Sequence, residues 1–255
     1  MAHDTAESQS VQMLSLSRFM LALHVAALMG GAHAVAQTAA APTVVELFTS
    51  QGCSSCPPSD QQLGELTKRT DLLPLSFHVD YWDYIGWKDP FASAINTERQ
   101  RGYARTLKQR YVYTPEMVVG GLAHDPGYDP AKIGKMLRLA AERPGPRVHP
   151  ALARDAGNGL AVSVAETRLS SPSDIWLVTF DRQHRTKIGR GENKGATLTN
   201  YNVVRSLEKL ATWSGEATRW IVPAERIRDS QSVAIIIQQT SYGPIIGAGR
   251  WDRPH

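Results

Sequence analysis

Hydrophobic and polar positions along this chain follow two different rhythms. Before residue 144, short apolar runs alternate with segments of helical spacing. Residues 44–48 form an apolar run of strand length interrupted only by Glu46, and in residues 72–79 Leu73, Leu75, Phe77 and Val79 fall on one strand face. Residues 59–70 between them predict a short helix. Residues 91–109 predict a charged helix, residues 117–119 a short strand, and residues 131–143 a helix with Ile133, Met136, Leu137 and Ala140 at helical spacing. Alternation of this kind implies a sheet with helices packed on it.

The helical pattern stops at Arg143, where Pro144, Gly145 and Pro146 follow, and a domain break is expected there. Beyond it the rhythm is that of strands. Leu160, Val162 and Val164 alternate, residues 175–180 and 233–237 are apolar runs rich in β-branched side chains, and residues 244–251 follow a Tyr242-Gly243 turn. These predict a mostly β, sandwich-like unit. Residues 203–211 fit either state, because Val203, Val204, Leu207, Leu210 and Ala211 also fall at helical spacing.

Composition narrows the classes. A chain of 255 residues with 42% apolar content buries a full core, which argues against disorder. The formal charge is only +4 and the cationic residues are scattered, so no nucleic-acid partner is expected. Residues 1–36 read as an export signal: Arg18 precedes the apolar residues 19–29, and Ala34-Val35-Ala36 offers a cleavage pattern, with Ala32-His33-Ala34 as a second. Met13 is an alternative start, and an uncleaved anchor is the competing reading. The apolar stretch is too short for a spanning helix, so a periplasmic or secreted protein without stable membrane insertion is expected.

The chemistry concentrates in the only two cysteines, Cys53 and Cys56. A Cys-x-x-Cys between a strand and a helix start can form a small reversible disulfide, and outside the cytoplasm it cycles or rests oxidised. Unpaired backbone amides in the first helical turn favour a thiolate, so Cys53 is the expected attacking sulfur, helped by the amides of Ser55 and Cys56. Pro57 and Pro58 suit that turn because they lack donors. Cys56 is then the resolving thiol. A permanent staple is the bland alternative, although so short a loop would stabilise by only about 2 kcal/mol. A further alternative is a Cu(I) carrier in which two thiolates are joined by His124 or Met117.

Several segments together resemble a known family. Val44-Val45-Glu46-Leu47-Phe48, the Cys53 to Cys56 motif opening a helix, and Thr114-Pro115 ahead of Met117-Val118-Val119 and Gly120-Gly121 resemble the thioredoxin fold. The longer string from Glu46 to Pro58, with His78-Val79-Asp80-Tyr81-Trp82-Asp83 and Gly191-Glu192-Asn193, resembles an exported bacterial thioredoxin-like family known as a domain of unknown function, DUF1223. Thioredoxin itself has tryptophan before the first cysteine and Gly-Pro between the pair, where this chain has Gly52 and Ser54-Ser55.

The resemblance implies an α/β thioredoxin-like domain over residues 42–144, followed by a mostly β, sandwich-like C-terminal domain over residues 147–255. With the Cys-x-x-Cys pair in an exported chain of this fold, a thiol–disulfide oxidoreductase that needs no cofactor and no metal is expected. Its substrate would be a protein or small-molecule thiol or disulfide, with a separate redox partner. A binding module on the same fold is the alternative. By resemblance Thr114-Pro115 is the cis-proline loop that presents substrate backbone, and Glu46 is a buried acid relaying a proton to Cys56; a strand-end glutamate paired with a lysine or arginine is the other reading. Tyr81, Trp82 and Trp87 are expected either to wall a substrate groove or to pack their loop. His78, Asp80 and Asp83 match no closed zinc set in spacing. Residues 189–195 are glycine-rich but lack the strand-then-helix context of a nucleotide loop and predict a hairpin connection. His184 is placed on a solvated face, and no catalytic residue is expected beyond Gly145.

Overall fold

Side-chain alternation in the first strand decides what packs where. In β1 (Thr43–Thr49), Val45 and Leu47 point to one face of the sheet while Val44, Glu46 and Phe48 point to the other, and all five are buried. The computed structural model describes residues 41–227 and 232–253, so the expected export signal lies outside the described residues. Among the described residues, α1 (Pro57–Leu66) and α3 (Pro130–Glu142) cover the Val45–Leu47 face through Leu63, Leu66, Ile133 and Met136. On the other face α2 (Ala94–Thr106) sets Tyr103 against Val44, Phe48 and Phe77. Local signals define these helices. Asp129 caps α3 by accepting from the amides of Ala131 and Lys132, Ser93 caps α2, and prolines open α1.

The strands assemble into one eight-stranded mixed sheet and a smaller three-stranded one, giving a mixed α/β protein with few helices. From one edge the large sheet runs β4 (Ala123–Asp125), β3 (Glu116–Val119), β1, β2 (Leu72–His78), β8 (Thr197–Trp213), β7 (Ser173–Lys187), β10 (Ser232–Gln239) and β11 (Ile245–Trp251). β1 and β2 are parallel across the α1 crossover, β2 and β8 are parallel, and the other pairs are antiparallel. The small sheet, in order β5 (Ala151–Arg154), β6 (Leu160–Val164) and β9 (Thr218–Val222), buries Leu160 and Val162 against Ile175, Ile235 and Ile237.

Residues 203–211, compatible with helix or strand by spacing, lie within β8, where pairing with β7 through two register shifts decides between them. The break at residues 144–146 ends α3, yet the described residues on both sides of it form one compact unit because β2 and β8 carry the large sheet across it. That junction has a chemical reason for its shape. Pro74 has no amide to give the ladder, and instead its carbonyl accepts the side-chain amide of Asn202 at 2.7 Å. Asn202 takes a left-handed φ of 45°, which asparagine tolerates better than most residues.

A buried ion pair within the first half of the sequence is contacted by side chains from the second. Arg99 Nε donates to Glu46 Oε1 at 2.6 Å with both side chains fully buried, and the Tyr103 hydroxyl donates to Glu46 Oε2. The Arg99 guanidinium lies 5.5 Å from the Phe77 ring centroid and 5.5 Å from that of Trp176 in β7. Gln238 in β10 donates to the Tyr103 hydroxyl at 3.0 Å. Desolvation raises the Tyr103 phenol well above its ordinary range, so it acts as a donor at all physiological pH.

Removing one member of such a pair strands the other. Glu46→Ala is therefore expected to lower stability by about 3–5 kcal/mol, and the joint Glu46→Leu, Arg99→Met replacement to recover most of that loss. Urea unfolding followed by tryptophan fluorescence tests this. A loss below about 1 kcal/mol for Glu46→Ala would rule the pair out as a structural pin.

Candidate active site

The chain leaves β1 through Ser50-Gln51-Gly52 and turns back at Cys53 before α1 begins. The Cys53 amide donates to Ser50 O at 3.1 Å and the Cys56 amide to Cys53 O at 3.3 Å, which closes the turn. Cys53 and Cys56 are joined by a disulfide, with Cα atoms 5.5 Å apart. The Cys56 amide is thus spent on the turn and is not the donor to the Cys53 sulfur that the helix-start argument expects. A side chain takes that place: the Ser55 hydroxyl lies 3.3 Å from Cys53 Sγ.

Of the sequence-predicted residues, Thr114, Pro115 and Trp82 are brought to this turn. The Thr114–Pro115 bond is cis, and the Thr114 carbonyl accepts from the Ser55 hydroxyl at 3.5 Å. Trp82 Nε1 donates to Thr114 Oγ1 at 2.6 Å, and its Cβ lies 3.4 Å from the position a Cβ on Gly52 would occupy. Tyr81 reaches the Thr114 side chain from the side of α2. Its hydroxyl donates to Gln100 Oε1 at 3.1 Å, beside the buried Glu116. Burial pushes the Tyr81 phenol up to about 12 and also raises the Glu116 carboxyl.

Glu46 is not brought to Cys56. Strand parity places it on the α2 face with Arg99 and Tyr103, whereas the cysteine helix covers the Val45–Leu47 face. His78, Asp80 and Asp83 also diverge. His78 Nδ1 bonds Asp89 Oδ2 at 2.7 Å, Asp80 accepts from Thr97, and Asp83 accepts from the Asp89 amide. His124 Nδ1 bonds the Tyr113 hydroxyl at 2.8 Å, and Met117 is buried among the residues under α3. His184, expected on a solvated face, pairs with Asp181 at 2.8 Å and lies against the Phe91 ring.

The second half of the chain supplies what the sequence reading did not foresee. β7 and β8 form a hairpin whose tip, residues 188–196, closes over the cysteine turn. Asn193 Nδ2 donates to Gln51 O and to Cys53 O, both at 2.9 Å, while the Ser54 amide donates to Glu192 Oε2 at 3.3 Å. Gly191 has φ 74°, and a Cβ there would come within 3.2 Å of Trp87, so glycine lets the tip cross this close. Cys53 and Cys56 are both 0% exposed, while Ser54 and Ser55 beside them face solvent. Gln51 is the hub under the tip. Its amide donates to Asp89, its side-chain amide to Asn200, and its carbonyl oxygen Oε1 accepts from Trp87.

Below the turn lies a second buried acid. Asp60 sits one helical turn after Cys56 and is 5% exposed; burial pushes its carboxyl up to about 7, outweighing the lowering by His78, Thr49 and Asn200. Burial likewise acts to raise Asp89, but His78 and the amides of Gln51 and Phe91 outweigh it and hold that carboxyl low.

The chain matches the family described as "Protein of unknown function (DUF1223)" over residues 44–238. The crystal structure of protein AGR_C_4864 from Agrobacterium tumefaciens is 30% identical, with a TM-score of 0.73 over 85% of this chain and 99% of that one. HBP35 of Porphyromonas gingivalis, 12% identical with a TM-score of 0.55 over 83% of this chain and 75% of that one, is alike in fold alone. No curated protein matches the chain.

Two outcomes are expected here. Asn193→Ala removes two of the three hydrogen bonds described between the tip and the turn, about 2 kcal/mol, so dithiothreitol is expected to reduce the disulfide roughly 30-fold faster. An unchanged rate would show that the tip does not govern access. For Asp60, the folded carboxyl titrates near 7 against an ordinary 3.8, so between those values the folded chain keeps a proton that the unfolded chain has shed. Stability is then to fall as pH rises from about 4 to about 7, by up to about 4 kcal/mol, and to fall less in Asp60→Asn. Thermal transitions across that window decide it, and parallel curves for the two proteins would refute the assignment.

Proposed function

We propose that this chain, which belongs to the DUF1223 family, is an exported thiol–disulfide oxidoreductase on a thioredoxin-like arrangement. The observation that carries this reading is the Cys53–Cys56 disulfide at the head of α1, faced by the Thr114 carbonyl through Ser55. Support from the fold lies in the order β4-β3-β1-β2, with α1 and α3 on one face and α2 on the other. That is the layout the family resemblance implies, and a periplasmic or secreted location goes with it.

The step this reading assigns is exchange through Cys53. An incoming thiolate attacks the Cys53 sulfur, the Cys53–Cys56 bond breaks, and its electron pair leaves on Cys56. When the dithiol is re-formed and attacks a substrate disulfide, Cys53 is the nucleophile and the Ser55 hydroxyl turns its one proton from the Thr114 carbonyl to the thiolate. Thr114 O lies where an extended substrate segment can pair with it. The sulfur is covered, so exchange begins with lifting of the 188–196 tip. A thiol or disulfide substrate and a separate redox partner complete the cycle.

The same burial favours a second reading, in which the disulfide is a permanent staple in a binding module. Insulin reduction, or oxidation of a reduced peptide, separates the two. Under the first reading the wild type turns over and Cys53→Ser loses at least about 100-fold, because no nucleophile of comparable strength replaces the thiolate. Under the second, neither protein turns over and the pair fails to equilibrate with glutathione buffers, even in Asn193→Ala.

A further inference from the structure

Opening the disulfide leaves a sulfur anion on Cys56 in a site sealed from water, and an anion there is costly unless a proton reaches it. We infer that Asp60 exchanges that proton with Cys56, an inference that rests on the oxidoreductase reading above. Residues four apart on a helix have Cβ atoms about 5–6 Å from one another, so Cys56, Asp60 and Gly64 form one row along α1. The row faces β8. A Cβ on Gly64 would come within 2.5 Å of the Tyr201 ring, and Asp60 lies beside Asn200.

The groups around Asp60 leave it available for proton transfer. Thr49 of β1, His78 of β2, Asp89 of the following loop, and Asn200 and Tyr201 of β8 surround it; His78, Asp89 and Tyr201 are the titratable ones. None of Asp60 Oδ1, Thr49 Oγ1, His78 Nε2 and Asn200 Nδ2 makes a well-formed hydrogen bond, although Thr49 and Asn200 lie close enough to the carboxyl to lower it. A cluster of unpaired donors and acceptors is a place where a proton or a water can move at little loss of bonding. A cavity of about 330 Å³ between α1 and β8, lined by Pro57, Asp60, Thr197, Thr199 and Tyr201, connects this acid to the outside. Glu46, by contrast, has both oxygens engaged on the opposite face. The other acid of α1, Glu65, is exposed and paired with Lys68.

The transfer balances in each direction. During reduction, the neutral Asp60 carboxyl gives its proton to the Cys56 thiolate as the Cys53–Cys56 bond breaks. During release of a mixed disulfide, the Asp60 carboxylate takes the Cys56 proton. The Cys56 sulfur then bonds to Cys53 sulfur, and the departing thiolate leaves with the electron pair of the broken bond. Burial holds the acid near neutrality, where it serves in both roles.

The test loads the reduced full-length chain with thionitrobenzoate on Cys53 at low pH, then raises the pH and follows release of the coloured thiolate. In the wild type, release is expected to rise with a midpoint near the Asp60 value of about 7. In Asp60→Asn it should be about 100-fold slower at neutral pH, follow only the ordinary thiol titration near 8.5, and converge with the wild type above that. Coincident profiles would overturn the role of Asp60 and leave the oxidoreductase reading intact. The wild-type profile is itself decisive should the variant fail to fold, since a single rise near 8.5 overturns the inference. No release from wild type at any pH overturns both.

Discussion

The position of β8 alongside β2 is the constraint on which the rest of this protein depends. One strand of 17 residues pairs with β7 along its length, closes the large sheet against β2, and carries Tyr201 and Asn200 under the cysteine helix. The contact is made with few backbone bonds because Pro74 interrupts the ladder, and the Asn202 amide restores one of them. Near the start of that strand Asn200 bonds Gln51, just beyond the carboxyl end of β1. The hairpin tip that follows from this geometry therefore reaches the cysteine turn, and Asn193 can bond the Cys53 carbonyl across 140 positions of sequence.

The two buried acids next to this junction illustrate opposite uses of a carboxyl group. Glu46 is held by a guanidinium and a phenol, one on each oxygen, with aromatic rings around the cation, although Arg99 Nη1 itself is left without a partner. Commitment of that kind specifies one arrangement of α2 against the sheet and leaves nothing over for chemistry. Asp60 has a different balance. It is desolvated, bordered by polar groups that leave atoms unpaired, and its charge state is poised by competing influences. Groups whose environment is incompletely satisfied are the ones whose protonation can change during a reaction.

What was legible in the sequence follows from how local each signal is. The strand at residues 44–48, the three helices, the Thr114–Pro115 turn and the Cys-x-x-Cys are written within a few residues and lie where the pattern puts them. Glu46 was visible as an acid in an apolar strand, but whether it faced the cysteine helix depended on which face α1 covers, which alternation alone leaves open. Asp60 reads in sequence as an ordinary acid in a first helical turn, and only its cover by β8 makes it unusual. Gln51 and Asn193 fall inside strings that carry the family resemblance, and Asn200 outside them, but no local pattern gives any of the three a role, since their importance arises from pairings between distant segments. The Pro144-Gly145-Pro146 break is a true local stop for α3, but a sheet that resumes beyond it is a nonlocal fact.

Burial of the disulfide shapes how exchange at Cys53 can be selective. The Asn193 amide bonds two carbonyls, Gln51 O and Cys53 O; Cys53 O also accepts from the Cys56 amide, whereas Gln51 O depends on the tip. Anything that displaces the tip must replace those donors or leave Gln51 O unpaired, at about 1–3 kcal/mol, and Cys53 O with one bond fewer. A simple apolar thiol supplies neither donor and meets that full penalty. A peptide segment brings backbone amides of its own and meets little of it, so the cover that hides the sulfur also ranks the molecules able to reach it.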